Sequence, residues 1–467
     1  MNIKNYFSFF TILFLSAYSF SSFSIELIGA GRRIPAPIFE LWSAQYTQLR
    51  PGVTIKYHAV SASEGFKQLS SGQADFGETD HPLTKEELDK LNLAQFPYMF
   101  SAITPVVNLP KVEGQINLTG KILGDIYLGK IVKWNDPALV DINPRAKLPN
   151  EKILVAHLVP ERGGTYNLSS YLAKVHPEWA GKVGVGVTLN WPVGKAVENL
   201  YEMGSYVKNT PYSIGYSENA YARKNQLTLV KLQNSSGKFV SPHTGSIEEA
   251  SRDIKWQASN GFREDLIDRS SPGAWPITSA SYFLIRKTSD NIERRVALLG
   301  FIGWGLNRGD MLVTSLDFLP VPRTLTPVIR NSWNDTPLAI EGATLASAVQ
   351  VKALLAGGVA IIDTRVETEY NTEHIPGAIN APYSEKSAKS AVFNPSQDKF
   401  DLSKLPANKN DAIIVYCNAG ACWRSYKAAI ATIKAGYKKV YWFRGGMPEW
   451  IEKGYPTESS FPSASKQ

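Results

Sequence analysis

The chain has 467 residues, a formal charge of +8 and a pI near 9.1, with 43% hydrophobic and 20% charged residues. That length exceeds one hydrophobic core, so two or three domains are expected. The composition excludes a low-complexity chain, and the scattered basic residues, with no polybasic arm, argue against a nucleic-acid partner. Along the chain, Met1 to Lys4 supplies one positive charge, Phe7 to Leu15 is an apolar run, and Ser22 to Ser24 offers small residues for a signal peptidase. This pattern predicts a cleavable signal peptide over residues 1–24. Its core is too short for a membrane span, and the later apolar stretch is broken by Gly300, Gly303 and Gly305. No cysteine lies near the cleavage site, so a soluble periplasmic protein rather than a lipoprotein is expected. Next, "IELIGAG" reads as a strand entering a glycine turn, "PAPIFELWSAQYTQL" as a helix entered through proline, "VTIKYHAV" as a strand and "SEGFKQLSSG" as a helix. The alternation predicts an α/β domain with parallel-sheet character over 25–333. A polar, turn-rich stretch at 334–343 reads as a linker. A second α/β series at 344–457 follows: the strand "GVAIIDTR", the strand "DAIIVYC", the helix "SYKAAIATIKAG", the strand "KKVYWF" and the turn "RGGMPEW". Residues 458–467 read as a disordered tail.

The first series carries "GAGRRIPAPIFELW" (29–42), "ADFGETDHPL" (74–83), "LTGKILGDIYLGKIVKWNDPALVDINPRAKLP" (118–149), "NWPVG" (190–194) and "SIGYSENAYA" (213–222). These resemble the periplasmic phosphate-binding proteins of ABC transporters. The resemblance implies a two-lobed periplasmic-binding-protein fold of type II, a small oxyanion held between the lobes, an ABC permease as partner, and a monomer. An oxyanion cleft is built from backbone N–H groups, hydroxyls, arginines and helix N-termini. Asp80 in "GETDHP" matches the family's carboxylate, which accepts a hydrogen bond from a protonated anion such as hydrogen phosphate. Where the family has a threonine and an aromatic, this chain has Arg33 and Ile34, preceded by Arg32. The serine-rich turn becomes Ser61, Ala62 and Ser63. The segment "HLVPERGGTYNLSSYL" (157–172) puts Leu158 where the anion-binding arginine stands and Arg162 at a serine position. Gly163, Gly164 and Thr165 keep a glycine turn entering a helix, with a one-residue gap able to move Thr165 into register. The expectation is an anion cleft rebuilt around arginines. Against it stand a solvated, degenerate cleft and a purely structural pairing of Asp80 with one of those arginines.

The second series carries "IIDTRVETEYNTEHIPGAINAPY" (361–383), "IIVYC" (413–417) and "VYWFRGGMPEW" (440–450), and resembles a single small parallel-sheet rhodanese domain. That family moves sulfane sulfur from donors such as thiosulfate to a thiol acceptor through a cysteine persulfide. By position Cys417 is the nucleophile, its thiolate stabilised by the N-terminus of the next helix. Arg424 is placed to hold an anionic donor, and Asp363 and Arg365 orient the loop or form a structural ion pair. The loop is longer than in common rhodaneses, eight steps from Cys417 to Ser425, and the chain's only other cysteine, Cys422, lies within it. Cys422 is open to three roles: resolving thiol, disulfide partner or true nucleophile, the first being favoured here. The fusion suggests a cleft anion linked to sulfur, such as thiosulfate, with phosphate as the family default. The rival is a non-enzymatic binding or sensing protein with an inert Cys417–Cys422 disulfide. With six scattered histidines and no Cys/His cluster at ligand spacing, no metal or organic cofactor is expected.

Overall fold

A computed structural model describes residues 24–289, 291–333, 336–419 and 422–460, so the segment expected to be a signal peptide lies outside it apart from Ser24. The first α/β series builds strand β1 (Ile25–Arg32), helix α1 (Ala36–Leu49), β2 (Val53–Val60), α2 (Ala62–Ser70), β3 (Phe76–Thr79) and the long β4 (Leu93–Val107). It continues through β5 (Leu154–Leu158), α3 (Gly163–Val175), β6 (Lys195–Val197), β7 (Ser213–Glu218), α4 (Asn219–Lys224), β8 (Thr278–Arg286), α5 (Ile292–Arg308) and α6 (Thr326–Ser332). Along the main sheet path the order is β2-β1-β3-β8-β4-β7-β5-β6.

Two parallel halves lie at the ends of this path, β2-β1-β3 and β7-β5-β6, joined by antiparallel pairings through β8 and β4. Strand β4 explains the two lobes. All 15 of its residues are buried, the polar Gln95, Ser101 and Thr104 included, as in a strand covered on both faces. Residues 93–102 pair with β8, whereas residues 103–107 pair with β7, so one strand serves both lobes. The architecture is the two-lobed type II arrangement the sequence led us to expect. Opposite Ser281 and Tyr282 the register of β4 shifts, passing over Tyr98 beside Pro97, which donates no ladder hydrogen bond. Around α1 an aromatic core of Phe39, Trp42, Tyr98 and Phe283 packs edge-to-face and stacked.

The second series forms β9 (Ala343–Leu345), α7 (Ala348–Ala356), β10 (Ala360–Asp363), α8 (Glu367–Thr372), β11 (Ile379–Asn380), β12 (Ala412–Tyr416), α9 (Trp423–Lys434), β13 (Lys439–Phe443) and α10 (Gly446–Glu452). Its sheet, β9-β13-β12-β10-β11, is parallel throughout. Helices cover both faces, as buried parallel strands demand. Thr336 and Ile340, inside the span read as a linker, are buried, and Ile340 packs with Ile413, Val415 and Trp442. The chain is held as far as residue 460, where Ser460 N–H donates to Asn371 C=O and Glu458 bridges His374. Among the described residues no helix is long and apolar enough to cross a membrane, and no His/Cys/Asp/Glu group could hold a metal ion.

Candidate functional site

Two sites stand at the carboxyl ends of strands, where α/β sheets place ligands. The first lies between the lobes. Arg32, the last residue of β1, reaches Glu78 of β3, whose register partner Gly31 has no side chain to stand in the way. Its Nε and Nη2 donate to Glu78 at 3.1 and 2.6 Å, Nη2 also donates to Ser281 Oγ at 2.7 Å, and Nη1 meets Asp80 Oδ2 at 2.8 Å. Four of its five N–H donors are thus engaged, leaving one on Nη1. Burial alone would lower the Arg32 pKa, but Asp80 and Glu78 outweigh it and hold the guanidinium charged. Burial pushes Glu78 up despite Arg32, and pushes the neighbouring Glu218 at the end of β7 up to about 7.

Asp80 is buried, with Asn167 Nδ2 of α3 reaching its Oδ2 at 3.3 Å across the cleft. Its Oδ1 accepts no hydrogen bond and lies against the first residue of α3, so closely that a Cβ on Gly163 would overlap it. The carboxylate therefore sits where α3 presents its unsatisfied N–H groups. A cavity of about 330 Å³ opens beside it, lined by Asp80, Tyr166, Asn167, Ser170, Arg263 and Tyr282, and Ser170 Oγ is buried there without a partner. Two further contacts span the lobes: Ser63 Oγ to Glu161 at 3.4 Å, and Tyr201 Oη to Arg33 C=O at 3.3 Å.

The other residues singled out in the sequence stand as follows. Arg33 is exposed beside Ala59, Asn199 and Tyr201, and Ile34 is half-buried against the core. Ser61 caps α2 by accepting from Glu64 N–H, Ala62 opens that helix, and Ser63 meets the Ser61 hydroxyl at 3.0 Å. Arg162 donates to the Glu198 carbonyl at 2.8 Å and faces its carboxylate. Gly164 is buried in the first turn of α3, and Thr165 Oγ1 pairs with Tyr216 Oη at 3.0 Å, whose hydroxyl also accepts from Leu158 N–H. Sequence reasoning missed Glu78 and Glu218, although the acidic character of "FGETD" and "YSEN" was in view.

The second site is the loop between β12 and α9. Cys417 directly follows the central strand, Cys422 is the N-cap residue of α9, and the two are joined in a disulfide with their Cα atoms 6.4 Å apart. The helix begins at Trp423, two residues earlier than its sequence pattern suggested. Met447 N–H donates to Cys417 C=O at 3.0 Å, so the start of α10 forms one wall. Gly446 is required there: it has φ +51°, and a Cβ would overlap Cys417 O. Asp363 and Arg365 form a buried bidentate pair, which Tyr416 Oη joins at 2.5 Å, and Arg365 Nη1 reaches Asn418 Oδ1 at 3.5 Å. Arg424 Nη1 donates to Glu369 Oε2 at 2.8 Å, while Glu369 Oε1 accepts from Asn418 Nδ2 at 2.6 Å. One carboxylate from α8 thus ties together the residue after Cys417 and the second residue after Cys422. Glu369 was not legible as a site residue, because it approaches the loop only through the fold.

Comparison with known proteins follows these divisions. The PBP superfamily domain matches residues 22–308 and the rhodanese-like domain residues 347–453. The phosphate-binding protein PstS of Haemophilus influenzae is 38% identical over 309 residues, covering 66% of this chain and 92% of the relative. That of Pasteurella multocida is 36% identical over 337 residues, covering 71% and 98%. Among solved structures, a high-affinity periplasmic phosphate-binding protein (PfluDING) bound with phosphate superposes with a TM-score of 0.54 at 14% identity, covering 66% of this chain and 93% of its own. A phosphate-binding protein from Stenotrophomonas maltophilia gives 0.51 at 16% identity, with 70% and 96% covered. At those identities the structural likeness shows the fold.

Proposed function

The chain belongs to the PstS phosphate-binding proteins of the PBP superfamily and carries a C-terminal rhodanese-like domain; from that premise we propose that it is a periplasmic solute-binding protein of a phosphate-type ABC importer whose second domain transfers sulfane sulfur through Cys417. The observation that carries the second half is the strand–loop–helix junction itself: Cys417 at the end of the central strand and the N-terminus of α9 opposite it. A helix N-terminus lowers a thiol pKa and favours the nucleophilic thiolate. The disulfide is the resting form, and transfer starts once a thiol reductant has opened it. The Cys417 thiolate then attacks the outer sulfur of thiosulfate, sulfite leaves with the bonding pair, and a persulfide remains on Cys417 for a thiophilic acceptor. With Arg424 held by Glu369, attraction for the anionic donor rests mainly on the helix end.

The cleft is read as a site for a small oxyanion that carries a proton. Asp80 Oδ1 supports this: it is a buried acceptor with no donor. Hydrogen phosphate supplies that donor, whereas sulfate and thiosulfate have none at neutral pH. An unmatched buried acceptor costs about 1–3 kcal/mol, roughly fivefold to 150-fold in affinity. Titration calorimetry of the full chain at neutral pH should therefore rank phosphate at least about fivefold above sulfate and thiosulfate, and the opposite ranking would sink this reading. For the second domain, the chain is reduced with a small dithiol, desalted and given thiosulfate and cyanide. Sulfite is expected from the wild type, and thiocyanate from Cys422→Ser, in which no neighbouring thiol competes with cyanide; both are lost in Cys417→Ser. Reduced protein that forms neither supports the non-enzymatic rival.

A further inference from the structure

We propose that the cysteine loop is a thiosulfate-reducing device, in which Cys422 discharges the Cys417 persulfide as sulfide and the Cys417–Cys422 disulfide is the product of each turnover. This rests on the sulfurtransferase reading of Cys417 and adds the fate of its sulfur. The disulfide demonstrates that the two sulfurs reach bonding distance within the native fold. What keeps them there without the covalent link is Glu369, a positioning residue. Its two oxygens hold Asn418 on one side of the loop and Arg424 on the other, and all three side chains are buried. Met447 N–H fixes the Cys417 carbonyl from a third direction. A reduced loop tied at these points keeps the second thiol beside the first, and intramolecular attack from a held geometry outruns attack by a dilute external acceptor by orders of magnitude. Cys422 is also the N-cap residue of the 12-residue helix α9, so its thiolate has the helix end for stabilisation, and it is the more exposed of the pair.

The step balances. After sulfite has left, Cys417 carries Sγ–S⁻. The Cys422 thiolate attacks Cys417 Sγ, the Sγ–Sγ bond forms, and the bond to the outer sulfur breaks with its electron pair on the leaving atom. That atom departs as hydrosulfide, bearing the proton given up by the Cys422 thiol. The sulfane sulfur is reduced and two thiols are oxidised, so that thiosulfate plus the dithiol gives sulfite, hydrosulfide and the disulfide. Further turnovers need an external dithiol to reopen the bond by exchange.

The full chain is reduced, freed of reductant and mixed with thiosulfate, and its mass, sulfite and sulfide are followed. Expected are one equivalent each of sulfite and sulfide per chain and return to the disulfide mass. Cys422→Ser should instead stop at a persulfide, a gain of about 32 Da on Cys417, with sulfide release falling by roughly tenfold or more. Wild-type protein that accumulates the same stable adduct and releases sulfite without sulfide would overturn the proposal while leaving sulfur transfer intact. Neither adduct nor sulfite in wild type or variant would remove the sulfurtransferase reading as well. The wild-type arm decides the question alone where the variant does not fold.

Discussion

At the cleft one arginine and three carboxylates set the chemistry. Arg32 is enclosed by Glu78 and Asp80, with Glu218 close enough to feel its charge. A guanidinium so engaged has one remaining donor, so in the proposed anion site the helix end of α3 and the Asp80 acceptor would carry more of the recognition than arginine does. Removing the cation leaves buried carboxylates unpaired, and breaking such a pair from one side costs about 3–5 kcal/mol. Arg32→Met is therefore expected to lower the urea midpoint of the full chain strongly at pH 8 and less at pH 5, because burial already pushes Glu78 up and favours its uptake of a proton. Equal losses at both pH values would show that Glu78 and Asp80 are not held apart by Arg32. Glu218 gives a second pH signature. Burial raises its pKa to about 7, so its contribution is fully present below about pH 4.5, where an unfolded glutamate is protonated, and is lost as pH rises through 7. At 1.36 kcal/mol per unit the decline amounts to roughly 3 kcal/mol. Glu218→Gln keeps an acceptor for Tyr221 N–H at the start of α4 and should flatten the stability profile between pH 4.5 and 7. A variant profile as steep as wild type would assign that slope to other groups.

Elements explain why some of this was readable in advance and some was not. The α/β alternation, the two-domain division and the confinement of both cysteines to one loop follow from local pattern, since strand and helix periods are properties of contiguous residues. Arg32 and Arg33 are adjacent in sequence and cannot be ranked by it. The end of β1 turns Arg32 toward Glu78 of β3 and leaves Arg33 exposed, an outcome that strand alternation alone does not dictate. Glu369 lies 48 residues before Cys417, on a helix that the parallel sheet carries back over the loop, and no spacing rule links the two. The loop tests this argument. Glu369→Gln keeps an acceptor for Asn418 but strips the charge from a buried partner of Arg424, at a cost of about 3 kcal/mol or more. It should also slow closure of the reduced loop, read as a longer-lived free thiol pair during reoxidation by oxidised glutathione. Unchanged closure in a destabilised variant would leave Glu369 a stabilising residue with no hold on the cysteines.

Across the whole molecule, the hydrogen bonds and ion pairs described between the rhodanese-like domain and the rest land on one lobe. Glu373 pairs with Arg50 at the end of α1, and Thr457 supports it at 2.6 Å. Glu452 of α10 meets Arg330 of α6 and accepts from Asn307 Nδ2 of α5 at 2.6 Å, while Arg308 donates to the Lys453 carbonyl at 2.8 Å. Arg444, three residues before Met447, reaches Asn331 at 3.0 Å and the Thr336 carbonyl at 2.6 Å. The second domain thus rides on the lobe built from β1–β3, and none of these contacts involves the lobe carrying α3 and α4. Helix α10 runs from the wall of the cysteine loop at one end to the buried Glu452 at the other, so docking and loop share one short rigid element. A two-domain chain joined through buried charge pairs should unfold as one unit. Calorimetry of the wild type should give a single transition that phosphate raises as a whole if the cleft binds it, because ligand stabilises everything that unfolds with its site. Glu452→Ala leaves Arg330 buried without its main partner and Asn307 without its acceptor, a loss of about 3–5 kcal/mol at the seam. The expected result is two resolved transitions, of which phosphate moves only the one belonging to residues 25–333. Two transitions already present in wild type, with the second indifferent to the variant, would mean that the seam contributes nothing to stability and that the domains are neighbours by linkage alone.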